Sequence, residues 1–224
     1  MTTTDQPRLT DTSVMVLLHT LPRREFRLAP GVVRRVADGE RHRVAEVDQH
    51  LTLLTTFLHH HHGVEDDVLW PLLLDRVSDE LAPVITLMES QHERLDALLG
   101  ELGPAQASWR ESASAKDRER LATILDELYV HLIEHLDAEE QRLLPIAART
   151  VSQAEWDDMG HEAQRRAPRR GRTLVLGMFA HDGDPAVLRT MLRDAPPPVR
   201  AVLLRSARRA FRRHSRRIHG TETP

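Results

Sequence analysis

Two stretches of the chain, 74 residues apart, carry the same arrangement of histidine, glutamate and proline. The two copies are His61-x3-Glu65-x5-Pro71 and His135-x3-Glu139-x5-Pro145. In each copy, leucines recur at the three- and four-residue spacing of one helix face, and the histidine and glutamate occupy the middle of that face. Each helix would therefore bury an imidazole and a carboxylate in an apolar core, which is unfavourable unless a partner satisfies them.

Two further predicted helices carry a histidine at the centre of an apolar face. These residues, His19 and His92, are 73 residues apart, so the chain is interpreted as two similar helical hairpins packed into a four-helix bundle. Six buried polar groups at one level of a bundle need a common partner, and a metal cation can serve all of them. The predicted metal ligands are His19, His61, Glu65, His92, His135 and Glu139.

The composition limits the chemistry that the chain can perform. Its 224 residues, 40% of them hydrophobic, suffice for one large domain or for a domain with an appendage. The absence of cysteine excludes disulfides, iron–sulfur clusters, zinc–thiolate sites and thiol catalysis. A formal charge of −3 argues against general nucleic-acid binding. No apolar run predicts membrane insertion, and the polar start "MTTTDQPRLTDT" does not resemble a signal peptide, so we expect a cytoplasmic protein.

Helical periodicity predicts an all-α chain. A bundle is expected over residues 10–150 and a C-terminal helical annex over 151–219, between flexible tails at 1–9 and 220–224. The four bundle helices are expected over about 12–28, 40–75, 78–102 and 115–149. Pro22 is expected to bend or shorten the first of them. The stretches "APGVVRRVADG" and "GELGPAQASWRES" are interpreted as connectors between helices.

The annex is predicted to hold several shorter helices. Ser152 and Glu155 fit a capping box, and Asp184-Pro185 fits an N-cap followed by a first-turn proline. The last helix lies within "APPPVRAVLLRSARRAFRRHSRRIH", whose apolar stripe favours docking on the annex with an arginine-rich face outward. A protein partner for that basic face is left unidentified.

The motifs together resemble the hemerythrin-like family, also called the HHE cation-binding domain. The resemblance covers roughly residues 10–150 and depends on His19, "HHHHGVEDDVLWPLL", "QHERLDALL" and "HLDAEEQRLLP". It implies an up-down four-helix bundle holding two non-haem iron ions, bridged by the two glutamates and an oxo or hydroxo group. His and carboxylate ligands also accept manganese or zinc, so the residues alone leave the metal open.

One departure from the family pattern bears on function. Oxygen-carrying hemerythrins have a second histidine four residues from the first on the third helix, where this chain has Asp96 after His92. A site poorer in histidine favours open coordination positions and reaction with O2, hydrogen peroxide or NO, in oxidative or nitrosative stress defence or sensing. A catalase-like or peroxidase-like activity would be the enzymatic form of this function.

Two alternatives and several side chains stay open at this stage. The protein could be an iron or oxygen sensor whose metal occupancy controls the annex, or a structural bundle holding zinc or no metal. His62 is expected at the rim of the site or in contact with a ligand from outside, and His50 at the core edge or on an access path. Asp66 and Asp67 are interpreted as a solvated face. The sequence leaves undecided whether four further side chains join the site: His62, Asp96, Glu140 and Tyr129.

Overall fold

A computed structural model describes residues 9–224, and within that range the chain is helical, without strands. The bundle consists of α1 (Ser13–Arg34), α2 (Arg41–Val64), π1 (Glu65–Leu69), α3 (Trp70–Leu74), α4 (Ala82–Ser112), α5 (Ala115–Ala138), π2 (Glu139–Leu143) and α6 (Leu144–Thr150). Here π1 and π2 are single π-helical turns that continue α2 and α5. The predicted all-α class is confirmed. Most of the predicted N-terminal tail at 1–9 lies outside the described residues.

The bundle core is aliphatic, as the sequence stripes predicted. Leu54 and Leu58 on α2 and Leu125, Leu128 and Leu132 on α5 are completely buried. Because each fully buried leucine contributes about 1.5–3 kcal/mol relative to exposure, these faces supply much of the driving force for bundle formation. α5 packs against both α1 and α4, which places its buried face at the centre of the molecule.

The first helix is longer than predicted. The stretch "APGVVRRVADG" was expected to be a connector, yet α1 continues through Pro22 and Pro30 to Arg34. Each proline removes a backbone donor from the helix. Ala29, Val32 and Val33 are completely or almost completely buried, and their burial offsets that loss. The first six residues of the expected connector are therefore helical because core packing overrides the local proline signal, and residues 35–40 connect α1 to α2.

The second expected linker is helical and belongs to the third bundle helix. "GELGPAQASWRES" lies inside α4, which contains Pro104 and continues to Ser112. Trp109 is buried, and Gln106 donates from its amide to the Asp48 carbonyl oxygen at 3.1 Å and to its carboxylate at 2.8 Å. These contacts hold the extra turns against α2. The helix ends where Ala113 adopts a left-handed backbone with φ of 52°.

The annex consists of α7 (Gln153–Arg166), α8 (Arg172–Asp182), α9 (Pro185–Met191) and α10 (Pro197–His219). The predicted capping box at Ser152 and the N-cap at Asp184 are both present. Met178 and Phe179 of α8 and Phe211 of α10 join the same core as the bundle leucines. The annex therefore packs directly on the bundle, while its boundary at residue 150 and the flexible tail at 220–224 stay predictions.

The last helix docks through only part of its apolar stripe. Ala207 and Phe211 are buried, whereas Val199 and Leu203 near its start are exposed. None of the helices within residues 9–224 combines the length and the apolar content that a bilayer span requires. The expected cytoplasmic location stays a prediction.

Candidate metal centre

All six predicted ligands meet at the centre of the bundle, where the side chains form two groups of donors. The first group is His62, Glu65, His92 and His135, and the second is His19, His61, Glu65 and Glu139. Within each group, one donor atom from every residue lies within 4.8 Å of the others, and every member is buried. The two groups share Glu65, so they form one continuous site with two positions.

The two glutamates lie between these positions. Glu65 directs Oε1 towards His61 Nε2 at 3.3 Å and Oε2 towards His92 Nε2 at 3.6 Å. Glu139 Oε2 lies 3.2 Å from His19 Nε2 and 3.8 Å from His135 Nε2. Each carboxylate therefore faces histidines of both groups.

Both glutamates begin a π-helical turn. The Trp70 amide donates to the Glu65 carbonyl oxygen, and the Leu144 amide donates to that of Glu139, so each hydrogen bond spans five residues instead of four. In both copies a proline without an N–H follows directly, so the regular α-helical bonding could not continue unbroken. Such turns are frequent at functional sites. The Leu-x-Pro ending of each sequence copy is the signal that accompanies them.

His62 belongs to the first group, and its expected place at the rim is wrong. It is only 2% exposed, and its ring centroid lies 4.1 Å from that of His92. Its neighbour His61 instead faces His19, with ring centroids 5.2 Å apart. Successive helical residues differ in direction by about 100°, so adjacent histidines can reach the two positions of a wide site. His62 raises the donor set to five histidines and two glutamates and corrects the expectation of a histidine-poor site.

The other two histidines of the run face elsewhere. The His59 side chain is 80% exposed, and His60 Nε2 lies 2.9 Å from the Ala163 carbonyl oxygen on α7. The four consecutive histidines therefore do not all face one site, because successive helical side chains differ in direction by about 100°.

Three of the inner histidines are oriented by partners outside the donor groups. The contacts are His19 Nδ1 to Glu140 Oε1 at 2.9 Å, His92 Nδ1 to Asp66 Oδ1 at 2.7 Å, and His135 Nδ1 to Gln91 Oε1 at 3.3 Å. An imidazole that donates its Nδ1 proton outward presents the Nε2 lone pair inward. Metal-binding histidines are usually held in this way.

These outer partners show what the sequence reasoning missed. Asp66 was assigned to a solvated face, but it accepts hydrogen bonds from His92 and from Trp70 Nε1, the latter at 2.8 Å. Glu140 was left open and holds His19. Each acid directly follows one of the two donor glutamates, so the Glu-Asp and Glu-Glu pairs in the two copies were a usable signal. Gln91 had no comparable signal.

A family model for the hemerythrin HHE cation-binding domain matches residues 15–147, which is more than half of the chain. The chain belongs to this family. One curated relative is an uncharacterized protein of Dictyostelium discoideum, 20% identical over 140 residues. The match covers 57% of this chain and 54% of the relative, so the chain spans about half of that protein's length. No solved structure matches the chain significantly.

The protein itself leaves many buried polar atoms of the HHE centre without a hydrogen bond. Among residues 9–224, eight buried side-chain atoms of this centre lack a hydrogen bond; they belong to His19, His61, His62, Glu65 and Glu139. Burial, reinforced by the nearby charge of Glu139, raises the pKa of Glu65 well above its usual value. Burial and the proximity of His19 lower the pKa of His61 to about 3.

His19 behaves differently because two carboxylates face it. Burial is the largest influence and would lower its pKa, but Glu139 and Glu140 together outweigh it and raise the pKa to about 9. Without a metal, the raised pKa values of His19 and Glu65 favour the protonated form of both side chains. A divalent cation would replace those protons, and its bonds would satisfy the unpaired donor atoms. The imidazole and carboxylate donors present fit such a cation.

Two residues that were left open lie apart from the donor groups found within residues 9–224. Asp96 is half exposed and 3.9 Å from His59. Tyr129 is partly buried and packs against the bundle core.

Proposed function

We propose that this HHE protein is a non-haem di-iron protein. The observation that carries the proposal is the placement of Glu65, with one carboxylate oxygen directed at each donor group. His62, His92 and His135 would hold one iron, and His19 and His61 the other. Glu65 and Glu139 would bridge the pair.

The donor count supports reaction with a small molecule. Each donor group offers four protein ligands, and Glu139 would add a fifth to the first group, so both irons would keep room for a small molecule. We infer that the protein reacts with O2, hydrogen peroxide or NO in oxidative or nitrosative stress defence or sensing. The irons would supply the redox chemistry. The surrounding leucines would exclude water, and Asp66 and Glu140 would keep the imidazoles oriented.

The first test is metal content and near-ultraviolet and visible absorption of protein produced with ample iron. We expect about two irons per chain, with absorption typical of a bridged di-iron centre. The double variant His61→Ala/His135→Ala removes one donor from each group and is expected to lose both signals. The control His59→Ala/His131→Ala removes two histidines outside the groups and is expected to keep them.

Zinc or no metal in protein produced with ample iron would contradict the di-iron proposal. Iron that stays bound in the double variant would show that the donor assignment is wrong. If both signals behave as expected, turnover of hydrogen peroxide and binding of O2 and NO should be measured next. An activity that disappears in the double variant and persists in its control would assign the chemistry to this centre.

A sensor is the second candidate, because one aromatic residue connects the centre to the annex. Phe57 stacks on His61 with ring centroids 5.9 Å apart and planes at 12°. It also meets Phe179 on α8 in a T-shaped arrangement, with ring centroids 5.8 Å apart. Occupancy of the centre could therefore change the packing of α8 through these three rings.

Amide hydrogen exchange with and without bound metal tests the sensor function. We expect metal to increase protection in residues 150–220 and the variant Phe57→Leu to remove that increase without loss of metal. Metal-dependent protection confined to the bundle would contradict a sensor role for the annex.

A further inference from the structure

A second cluster of histidine and carboxylate lies where the end of α10 meets α1 and α2. Glu25 Oε2 lies 3.4 Å from His50 Nε2 and 3.1 Å from His219 Nε2. The three side chains are 0%, 0% and 3% exposed. His50 was expected at the core edge or on an access path, but it is buried and faces Glu25. It precedes His61 by eleven residues, or about 16 Å along the helix, so this cluster is separate from the bundle centre.

The donor atoms of this cluster converge as they do in the bundle centre. One donor from each of Glu25, His50 and His219 lies within 4.8 Å of the others. The Nε2 atom of His50 is buried and lacks a hydrogen bond. Arg24 donates to the other carboxylate oxygen, Glu25 Oε1, from Nε at 3.0 Å and from Nη2 at 2.8 Å. That contact fixes the carboxylate and leaves Oε2 directed at the two imidazoles.

A fourth residue can hold His50 in the orientation that a metal requires. His214 Nε2 lies 3.0 Å from His50 Nδ1. When His50 Nε2 binds a metal, the ring proton sits on Nδ1, and His214 Nε2 accepts it. The proton of His214 then occupies its own Nδ1, so the 3.3 Å contact of that atom with Arg217 is given up. The Arg217 side chain is half exposed and can turn to solvent instead.

We propose that Glu25, His50 and His219 form a mononuclear binding site for a zinc-like divalent cation, which fastens the end of α10 to the bundle. Two imidazoles and one carboxylate are a ligand set that zinc accepts, with water in the fourth position. The ligands come from both ends of the sequence, so the cation binds strongly only when the annex is docked. Bound cation therefore stabilises the docked annex. This site does not depend on the identity of the metal in the bundle centre.

The test compares zinc binding by the full-length protein and by two conservative variants, after the bundle centre has been loaded with iron. His219→Gln keeps a hydrogen-bond donor for Glu25 but removes an imidazole ligand, and Glu25→Gln removes the anionic ligand. We expect the natural protein to bind about one zinc ion more per chain than either variant after dialysis against zinc. Loss of a residue that only hydrogen-bonds a metal ligand usually weakens metal binding about 10–100-fold. Loss of a ligand itself is expected to weaken zinc binding by at least as much. His59→Ala is the control and is expected to keep the zinc.

Two further readouts make the result decisive. Zinc is expected to slow amide exchange at the end of α10 in the natural protein and not in His219→Gln. Iron absorption of the bundle centre is expected to be equal in both. Equal zinc binding by the natural protein and His219→Gln would overturn the proposal and leave Glu25 and His219 as a hydrogen-bonded contact only. The difference in zinc content between the natural protein and the variants can be measured even if the protein takes up no iron. Failure of the di-iron proposal would therefore be distinguished from failure of the zinc proposal.

Discussion

Replacing Glu65 with leucine is expected to abolish metal binding at both positions of the bundle centre and to stabilise the metal-free protein. Glu65 is the donor that the two groups share, so its loss removes a ligand from each position at once. In the metal-free state its two carboxylate oxygens are buried without hydrogen bonds, and burial raises its pKa well above the usual value. Leucine at this position would extend the aliphatic face of α2.

The expected gain is about 1–3 kcal/mol in the free energy of unfolding of the metal-free protein, since that is the usual cost of leaving a buried polar group without a hydrogen bond. For a chain of this size it corresponds to a rise in Tm of about 2–4 °C for each kcal/mol. Thermal unfolding in the presence of a chelator, together with metal analysis, measures both effects. Glu134→Leu is a suitable control because Glu134 is on α5, is 67% exposed and lies outside the donor groups. A metal-free Glu65→Leu protein less stable than the natural one would show that the carboxylate is needed for folding.

The six donors could be predicted from the sequence because each interrupts an apolar stripe and because the hairpin repeats. The repeat also includes the acidic residues that hydrogen-bond the ligand histidines from outside the site. Asp66 holds His92 in one half, and Glu140 holds His19 in the other. Asp66 was missed and Glu140 was left undecided because the prediction depended on the residues of the buried face, whereas an outer partner lies beside that face. The sequence also left His62 undecided, because only the assembled bundle brings its ring beside that of His92.

Helix ends were predicted less well than helix faces. Pro30 and Pro104 were taken as signs of chain breaks, yet both lie inside helices. The local cost of a proline was known from the sequence. The compensating burial of Val33 or Trp109 depends on a partner helix that local patterns do not specify. The cluster of Glu25, His50 and His219 was unpredictable for the same reason, since 194 residues separate its first and last members.

Replacing Gly177 with alanine is expected to force apart α8 and α10 of the annex while leaving the metal centre loaded. Gly177 lies on α8 where it crosses α10, and a Cβ atom there would be 2.2 Å from the Ala207 carbonyl oxygen and 2.8 Å from its carbonyl carbon. Backbone atoms cannot turn away as a flexible side chain can, so the two helices must move apart. Overpacking of this kind costs about 1–3 kcal/mol and occasionally more. Gly160→Ala is the matched control, because a Cβ at that helical position on α7 meets nothing within 4 Å.

The measurements are thermal unfolding, amide exchange in α8 and α10, and iron content. Gly177→Ala is expected to lower Tm and to reduce protection in both helices, whereas Gly160→Ala should leave both unchanged or slightly improved. Iron content should stay at the natural level because the donors of the two groups lie on α1, α2, α4, α5 and the π turns. Zinc binding by Glu25, His50 and His219 should weaken, since it requires docked α10. If iron is lost as well, the annex is part of the scaffold that holds the centre. That result would favour coupling through Phe57 over an independent bundle.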